Sequence, residues 1–249
     1  MLIFDIGGNK GNYSLKKLKN DALTNVVIVE PILNNCHIIS INLKNYKNVV
    51  IYNKAVSNES GDINFYECNA DSCSTCSQYH IENSCFGGGE QGKYMMKNGK
   101  TFAEHYSFKS PVLKETISLD QLIENHGEPD LIKIDVEGYE LNVLKSLTSK
   151  KSKIITFEWH EYAIDNIIIE VKYLNSIGYT EFSTEIWYEG KFEHDNEIFN
   201  YMSCNDFINW LEPIVRDSIS KTGDLDKKCY FENNKKIPYI NVWGMIWAK

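Results

Sequence analysis

The sequence predicts an α/β chain built on a mostly parallel sheet, and three stretches carry that expectation. Leu131, Ile132, Ile134 and Val136 form a short apolar, β-branched run of the kind buried on both faces of a parallel sheet. The run opens after Gly127-Glu-Pro129 and closes at Gly138, beyond which Leu141, Leu144 and Leu147 fall at helical spacing. Met1–Ile6 is a second such strand, running into a glycine loop and then a helix through Leu15 and Leu18. Val26–Val29 is a third, ending in Glu30-Pro31. In open sheets of this kind, ligands bind beyond the carboxyl ends of the strands.

Composition narrows the classes of function. At 249 residues one domain spanning 1–249 is expected. A net charge of −8 with no basic cluster argues against a nucleic-acid partner. No apolar run reaches the roughly 20 residues of a membrane helix, so no membrane partner is expected. Asp5 and the glycine loop sit inside the apolar start, which is therefore not a signal peptide. Seven cysteines, an odd number without a secretory signal, point to a reducing cytosol, that of a host if the gene is viral.

Taken in order, the first strand meets Asp5-Ile-Gly-Gly-Asn-Lys-Gly-Asn-Tyr-Ser14. Gly7 and Gly11 keep the G-x-x-x-G frame of a nucleoside-binding turn, where missing side chains admit a ligand to the backbone. Alone, such a loop is equally a tight turn. Glu30, about 20 residues on at the tip of the second strand, is placed to accept hydrogen bonds from ribose hydroxyls. The absence of G-x-G-x-x-G turns the reading from a dinucleotide to a single nucleoside with a cationic tail. Asn48–Tyr52 is a third strand, and its exit loop, with Asn53 and Ala55, lies on the same edge. Ile63–Tyr66 is a short strand.

From Glu67 to about Pro111 the periodicity fails, and this stretch is expected to be a substrate-side insertion or lid. Cys68, Cys73, Cys76, His80 and Cys85 could form a zinc knuckle, although the spacing is not that of paired C-x-x-C elements. Val112–Glu115 reads as a strand returning to the core, and Ser118-Leu-Asp120 as a helix start. Lys153–Phe157 is a buried strand ending in Glu158-Trp-His-Glu161, followed by a helix from Asp165 to Leu174 stopped by Gly178. Tyr179–Trp187 and Ile237–Trp247 are expected to close the sheet as an antiparallel pair. A helix over Asn205–Ile219 separates them, kinked or split at Pro213.

Four ordered blocks, Asp5–Ser14, Val29-Glu-Pro31, Ile117-Ser-Leu-Asp120 and Leu131–Glu140, resemble the signatures of FkbM-type methyltransferases. The resemblance covers roughly the first 150 residues. It implies a Rossmann-like class I methyltransferase fold, seven-stranded and mostly parallel, and S-adenosylmethionine-dependent O-methylation of hydroxyls, often on sugars. Gly8 stands where the family usually has alanine. The chain opens on its first strand, where the family has a helix over the cofactor. Either the lid or another subunit, as in a homo-oligomer, is then expected to supply the cover, or the cofactor site is more open than usual.

On this reading Asp5, Gly7, Gly8, Asn9, Gly11, Glu30, Pro31, Asn53, Ala55 and Asp135 bind the cofactor, with Tyr13 and Ser14 at its methionine end. Ser14 is equally a helix cap. Asp135 and Glu137, two apart, are expected on one side of the strand. His160 is the first choice for the base that deprotonates the acceptor hydroxyl, because imidazole titrates near neutrality. The alternative is a surface histidine at a helix start. Glu158 would orient His160 or bind substrate, and Glu137 would lie near the acceptor or serve as a first-turn helix acid. Buried Lys133 needs a carboxylate partner.

A divalent metal held by Asp135, Glu137, Glu158 and His160 ranks second to metal-free base catalysis. A sugar or glycan acceptor fits the aromatic C-terminal third, Trp159, Trp187, Tyr188 and Trp210, which is equally core. A non-sugar or lipid-like acceptor and a non-catalytic nucleoside-binding scaffold are the competing functions.

Overall fold

In a computed structural model of the chain, residues 1–93, 96–97, 99–188, 191–192, 200–220, 229–232, 235–238 and 242–249 are described. Seven strands make the body of the main sheet: β1 (Leu2–Ile6), β2 (Asn25–Val29), β3 (Val49–Tyr52), β4 (Leu131–Ile134), β5 (Ile154–His160), β6 (Glu181–Tyr188) and β7 (Val242–Ala248). Their spatial order is β3-β2-β1-β4-β5-β7-β6, with two-residue strands continuing past and beside β6. All neighbours from β3 to β5 pair in parallel, while β7 runs antiparallel to both β5 and β6. This is the Rossmann-like sheet of class I methyltransferases. Only β7 is reversed, so the expected C-terminal pair is one backward strand wedged between two forward ones.

The strands are buried because their residues are apolar on both faces. Phe4, Ile6, Ile132, Ile134, Ile155 and Phe157 join one core with helix Ile164–Ser176 and helix Cys204–Ser220. Val26 and Ile28 face the other way, onto Leu18, Ile39 and Leu43 of the helices flanking β2. Fully burying each such side chain contributes about 1.5–3 kcal/mol. Both layers leave the carboxyl ends of β1, β2, β4 and β5 open on one rim.

Several boundaries differ from expectation. Val112–Ile117 pairs with Ala55–Val56 and Asp62–Phe65 in a side sheet, with Val112 and Leu113 exposed, and returns to the core only at its end, where Ile117 is buried. Ile237 belongs to a separate hairpin of Cys229–Glu232 with Lys235–Pro238, so the last sheet strand starts at Val242. Helix Cys204–Ser220 runs through Pro213 without splitting. The helix after Gly138 spans only Glu140–Leu144.

The 67–111 segment contains a helix, Gln78–Asn83, started by Ser77, whose Oγ accepts from the His80 amide at 3.0 Å. It is pinned to the tip of β4, where the Thr75 hydroxyl donates to the Glu137 carbonyl at 2.8 Å. Among the described residues, no helix is long and apolar enough to cross a membrane.

Candidate active site

A cavity of about 320 Å³ opens on the rim, within the usual range for small-molecule pockets. Its first half is made by the β1 and β2 loops. Gly7 has φ +75°, and a Cβ there would fall 1.8 Å from the Asp135 carbonyl, so only glycine lets this loop meet the β4 tip. Glu30 reaches into the cavity with its carboxylate already held: Oε2 accepts from the Asn9 amide and Oε1 from the Ile32 amide, both at 2.8 Å. Burial pushes Glu30 up to about 7, against the pull of those amide bonds. Asn53 does not reach the cavity wall. Its side-chain amide donates to the Glu30 and Pro31 carbonyls, each at 3.0 Å, and so fixes the turn that aims Glu30. Pro31, Asn9 and Ala55 do line the wall.

Asp5, Gly8, Gly11, Tyr13 and Ser14 stand behind this wall rather than on it. Gly8 and Gly11 pack on Ile28 and Ile39. Ser14 is fully buried and donates to Asp5 Oδ2 at 2.5 Å, so it neither caps the helix nor lines a methionine site. Lys133 is buried, with Nζ 3.4 Å from Asp5, 3.2 Å from Asp135 and bonded to the Gly7 carbonyl at 3.2 Å. Burial opposes its charge, but Asp135 and Asp5 outweigh that and hold its pKa above the usual range. Tyr13 lies against this cation, its ring centroid 5.7 Å from Nζ, and burial raises its hydroxyl. These residues form a brace that ties β1 to β4.

The second half of the cavity is acidic. The same-face expectation for Asp135 and Glu137 fails because β4 ends at Ile134; Glu137 lies in a turn with φ +56°, the left-handed region. A non-glycine residue there costs on the order of 1–3 kcal/mol and tends to mark a functional site. Glu140 holds the turn, its Oε1 accepting from the Val136 and Gly138 amides at 3.1 and 3.3 Å. The turn nonetheless brings carboxylate oxygens of Asp135, Glu137 and Glu158 within 4.8 Å of one another, and all three residues line the cavity. Burial, then Glu158 and Asp135, raises Glu137 well above the carboxylate range. Burial, then Asp135, also raises Glu158, against the opposing pull of His160.

His160 is neither a surface residue nor part of the main cavity wall. It is 6% exposed and sits behind the carboxylates, Nε2 3.2 Å from Glu158 and 3.9 Å from Glu137. Its ring stacks on Tyr162 and Trp243, with centroids 5.4 and 6.5 Å away. Glu158, two residues before His160 on the same face of β5, lines this cavity, whereas His160 at the strand's end lines the small recess beside it with Glu158, Glu140 and Tyr162.

His80 is the residue that sequence reasoning misplaced. The insertion carries it onto Gly138, where a Cβ would come within 2.9 Å of the His80 Cβ. Its ring is fully buried, Nδ1 2.6 Å from the Tyr162 hydroxyl and Nε2 3.8 Å from Glu137. Cys68, Cys73, Cys76 and Cys85 form no metal-ligand group with it. No spacing rule links residues 57 apart; the nearest sequence signal is the glycine at 138, which leaves the space His80 fills. Trp159 is core, donating its indole N–H to Thr184 at 2.9 Å, and Trp210 packs on the core. The side chains of Trp187 and Tyr188 lie outside the described residues. The aromatic residues lining the cavity are Trp243, Tyr139 and Phe65.

A family model described as "Methyltransferase FkbM domain" matches residues 5–207. A comparison with curated proteins finds no match. Among solved structures, the chain is similar to precorrin-6y C5,15-methyltransferase from Geobacter metallireducens, with 10% identity and a TM-score of 0.44, covering 100% of this chain and 78% of that one. It is also similar to the YcgJ protein of Bacillus subtilis, with 8% identity and a TM-score of 0.40, covering 99% and 90%. At such scores the likeness carries no argument about chemistry.

Proposed function

The chain belongs to the FkbM methyltransferase family, and on that premise we propose that it is an O-methyltransferase acting on a hydroxyl of a sugar, in a glycan or a nucleotide-sugar. Membership and fold imply use of S-adenosylmethionine, and the residues present fit it. The Gly7–Asn9 backbone and Glu30 suit the nucleoside, and Pro31 and Ala55 give the apolar flanks. When bound, S-adenosylmethionine supplies a methyl carbon on a sulfonium, whose transfer leaves a thioether and requires loss of the acceptor's proton.

The observation that carries the proposal is the acidic end of the cavity. Glu158 is buried, lines the wall and has a raised pKa, its Oε2 lying 3.2 Å from His160 Nε2. A carboxylate whose pKa is raised toward neutrality is a better proton acceptor for a hydroxyl than an ordinary surface acid. His160 beside it stabilises the ionised form, and this positioning role replaces the role of base. Carboxylates with free lone pairs also accept hydrogen bonds from vicinal sugar hydroxyls, and the Trp243 and Tyr139 rings offer faces for a pyranose. The same negative wall disfavours a polyanionic nucleic acid. Cys36, Cys68, Cys73, Cys76 and Cys204 form no disulfide, in keeping with a cytoplasmic reaction.

The test is to incubate the purified chain with S-adenosylmethionine and a panel of free sugars, nucleotide-sugars and oligosaccharides. The expected product carries an O-methyl carbon identified by NMR. Transfer confined to nitrogen or carbon acceptors, with every hydroxyl compound inert, would sink the proposal.

A further inference from the structure

From the same cluster we infer a metal site in which His80 Nε2, His160 Nε2 and Glu137 Oε2 hold a divalent first-row transition ion, of the zinc or manganese class. The site extends the function proposed above and relies on it only for what the ion does, not for whether it binds. The three atoms lie within 4.8 Å of one another, with Glu137 Oε2 3.8 Å from His80 and 3.9 Å from His160. His80 Nε2 and Glu137 Oε2 are buried and make no hydrogen bond within the protein; His160 Nε2 is buried as well, its nearest acceptor being Glu158 Oε2 at 3.2 Å. His80 is the sharpest case. Its ring is fully buried, and the Tyr162 hydroxyl already satisfies Nδ1, so whichever tautomer it adopts Nε2 faces Glu137 beyond hydrogen-bond range.

Buried polar atoms left this way are costly unless something uses them. The surroundings favour a cation. Glu137, Glu158 and Glu140 crowd the site, and the nearby ammonium of Lys133 is held by Asp5 and Asp135. Two imidazoles and one carboxylate suit first-row ions better than magnesium, which prefers all-oxygen sites. Bonds of roughly 2.0 Å put ligand atoms about 3.3 Å apart, so the three side chains close on an ion by roughly half an ångström. Tyr162, bonded to His80 Nδ1 and stacked on His160, orients both rings from behind, as outer partners of metal-bound histidines do.

This site explains the insertion. The sheet alone supplies the carboxylates and one imidazole; the 67–111 segment brings the second imidazole across Gly138. A hydroxyl oxygen of the acceptor, bound at an open position of the ion, becomes more acidic, and its proton passes to Glu158.

The experiment uses the full chain, stripped with chelator and dialysed, titrated calorimetrically with Zn²⁺, Mn²⁺ and Mg²⁺, with bound metal counted by mass spectrometry. We expect one Zn²⁺ or Mn²⁺ per chain and much weaker Mg²⁺ binding. His80→Asn should lower the affinity at least ten-fold, and Tyr162→Phe by about ten-fold as an outer-partner change. S-adenosylhomocysteine affinity should be unchanged in both variants, which also reports that they are folded. No stoichiometric binding, or Zn²⁺ binding undiminished by His80→Asn, overturns the site. A bound ion without hydroxyl methylation overturns the proposed function alone; hydroxyl methylation by chain that takes up no metal overturns the site alone.

Discussion

Glu30 and Glu137 sit at the two halves of one cavity, each a buried carboxylate just past the end of a parallel strand, and their surroundings differ. Glu30 is met by two backbone amides and its turn is held by Asn53. Glu137 is held only through its backbone, in a left-handed turn with a lid hydroxyl on its carbonyl, and its Oε2 has no donor. The difference teaches that the nucleoside half is complete in the protein alone, whereas the acceptor half is built to be completed by something it binds. Four changes test that contrast, from the largest expected effect to the smallest.

Glu158→Gln keeps shape and removes the proton acceptor. Turnover should fall roughly 10²–10⁴-fold while calorimetric affinity for S-adenosylhomocysteine stays put; the opposite pattern would mean the two halves have exchanged roles. Glu30→Ala should do the reverse at the other half. Losing charge-assisted bonds to ribose costs about 1.5–3 kcal/mol, or roughly 10–100-fold in S-adenosylhomocysteine affinity. Gly138→Ala forces a methyl against His80 at a position with φ +85°. Thermal unfolding should show a loss of about 1–3 kcal/mol, with proteolysis of the 67–111 lid accelerated; an unchanged melt would mean His80 has room to move.

The smallest effect is on pH dependence. Glu30 titrates near 7 in the folded chain, against 4.5 for an unperturbed glutamate. The folded state therefore holds a proton that the unfolded state has lost across that window. Its contribution is fully present below pH 4.5 and fades as pH rises through about 7. Melting curves of ligand-free chain should converge toward, then fall below, those of Glu30→Gln as pH rises. A difference independent of pH would show that Glu30 titrates alike in the folded and unfolded chain. Affinity for the nucleoside should move the other way, since the ionised carboxylate is the better acceptor.

What the sequence made legible divides along the same line. Glu30, Gly7 and the Leu131–Ile134 strand are short-range signals: a buried run, a turn residue, an acid at the tip. The structure puts each where those rules place it. The placement of Glu137 was legible only as a position, because the rule used to aim it assumes a strand that had already ended. His160 was read as the base with Glu158 to orient it; the two do meet, at 3.2 Å, but of the pair it is Glu158 that lines the cavity. His80 was out of reach, since its partners are on β4 and β5 and the only contact that brings them together is tertiary. Val112–Glu115 was read as returning to the core; the strand does so only beyond that stretch, at Ile117, while a side sheet pairs its start with Val112 and Leu113 in water.

The placement of β7 has a consequence for how the molecule comes into being. Residues 242–248 separate β5 from β6, so these two share no hydrogen bonds with each other. Until that strand inserts, the growing chain carries two sheet fragments with raw edges, each a template for wrong pairing. Closure must wait for contacts between residues about 60 to 90 positions apart along the chain, such as Ser183 with Trp247 and Phe157 with Ile246. Long-range closure of this kind is slow, and both raw edges stay open to wrong pairing until it is made.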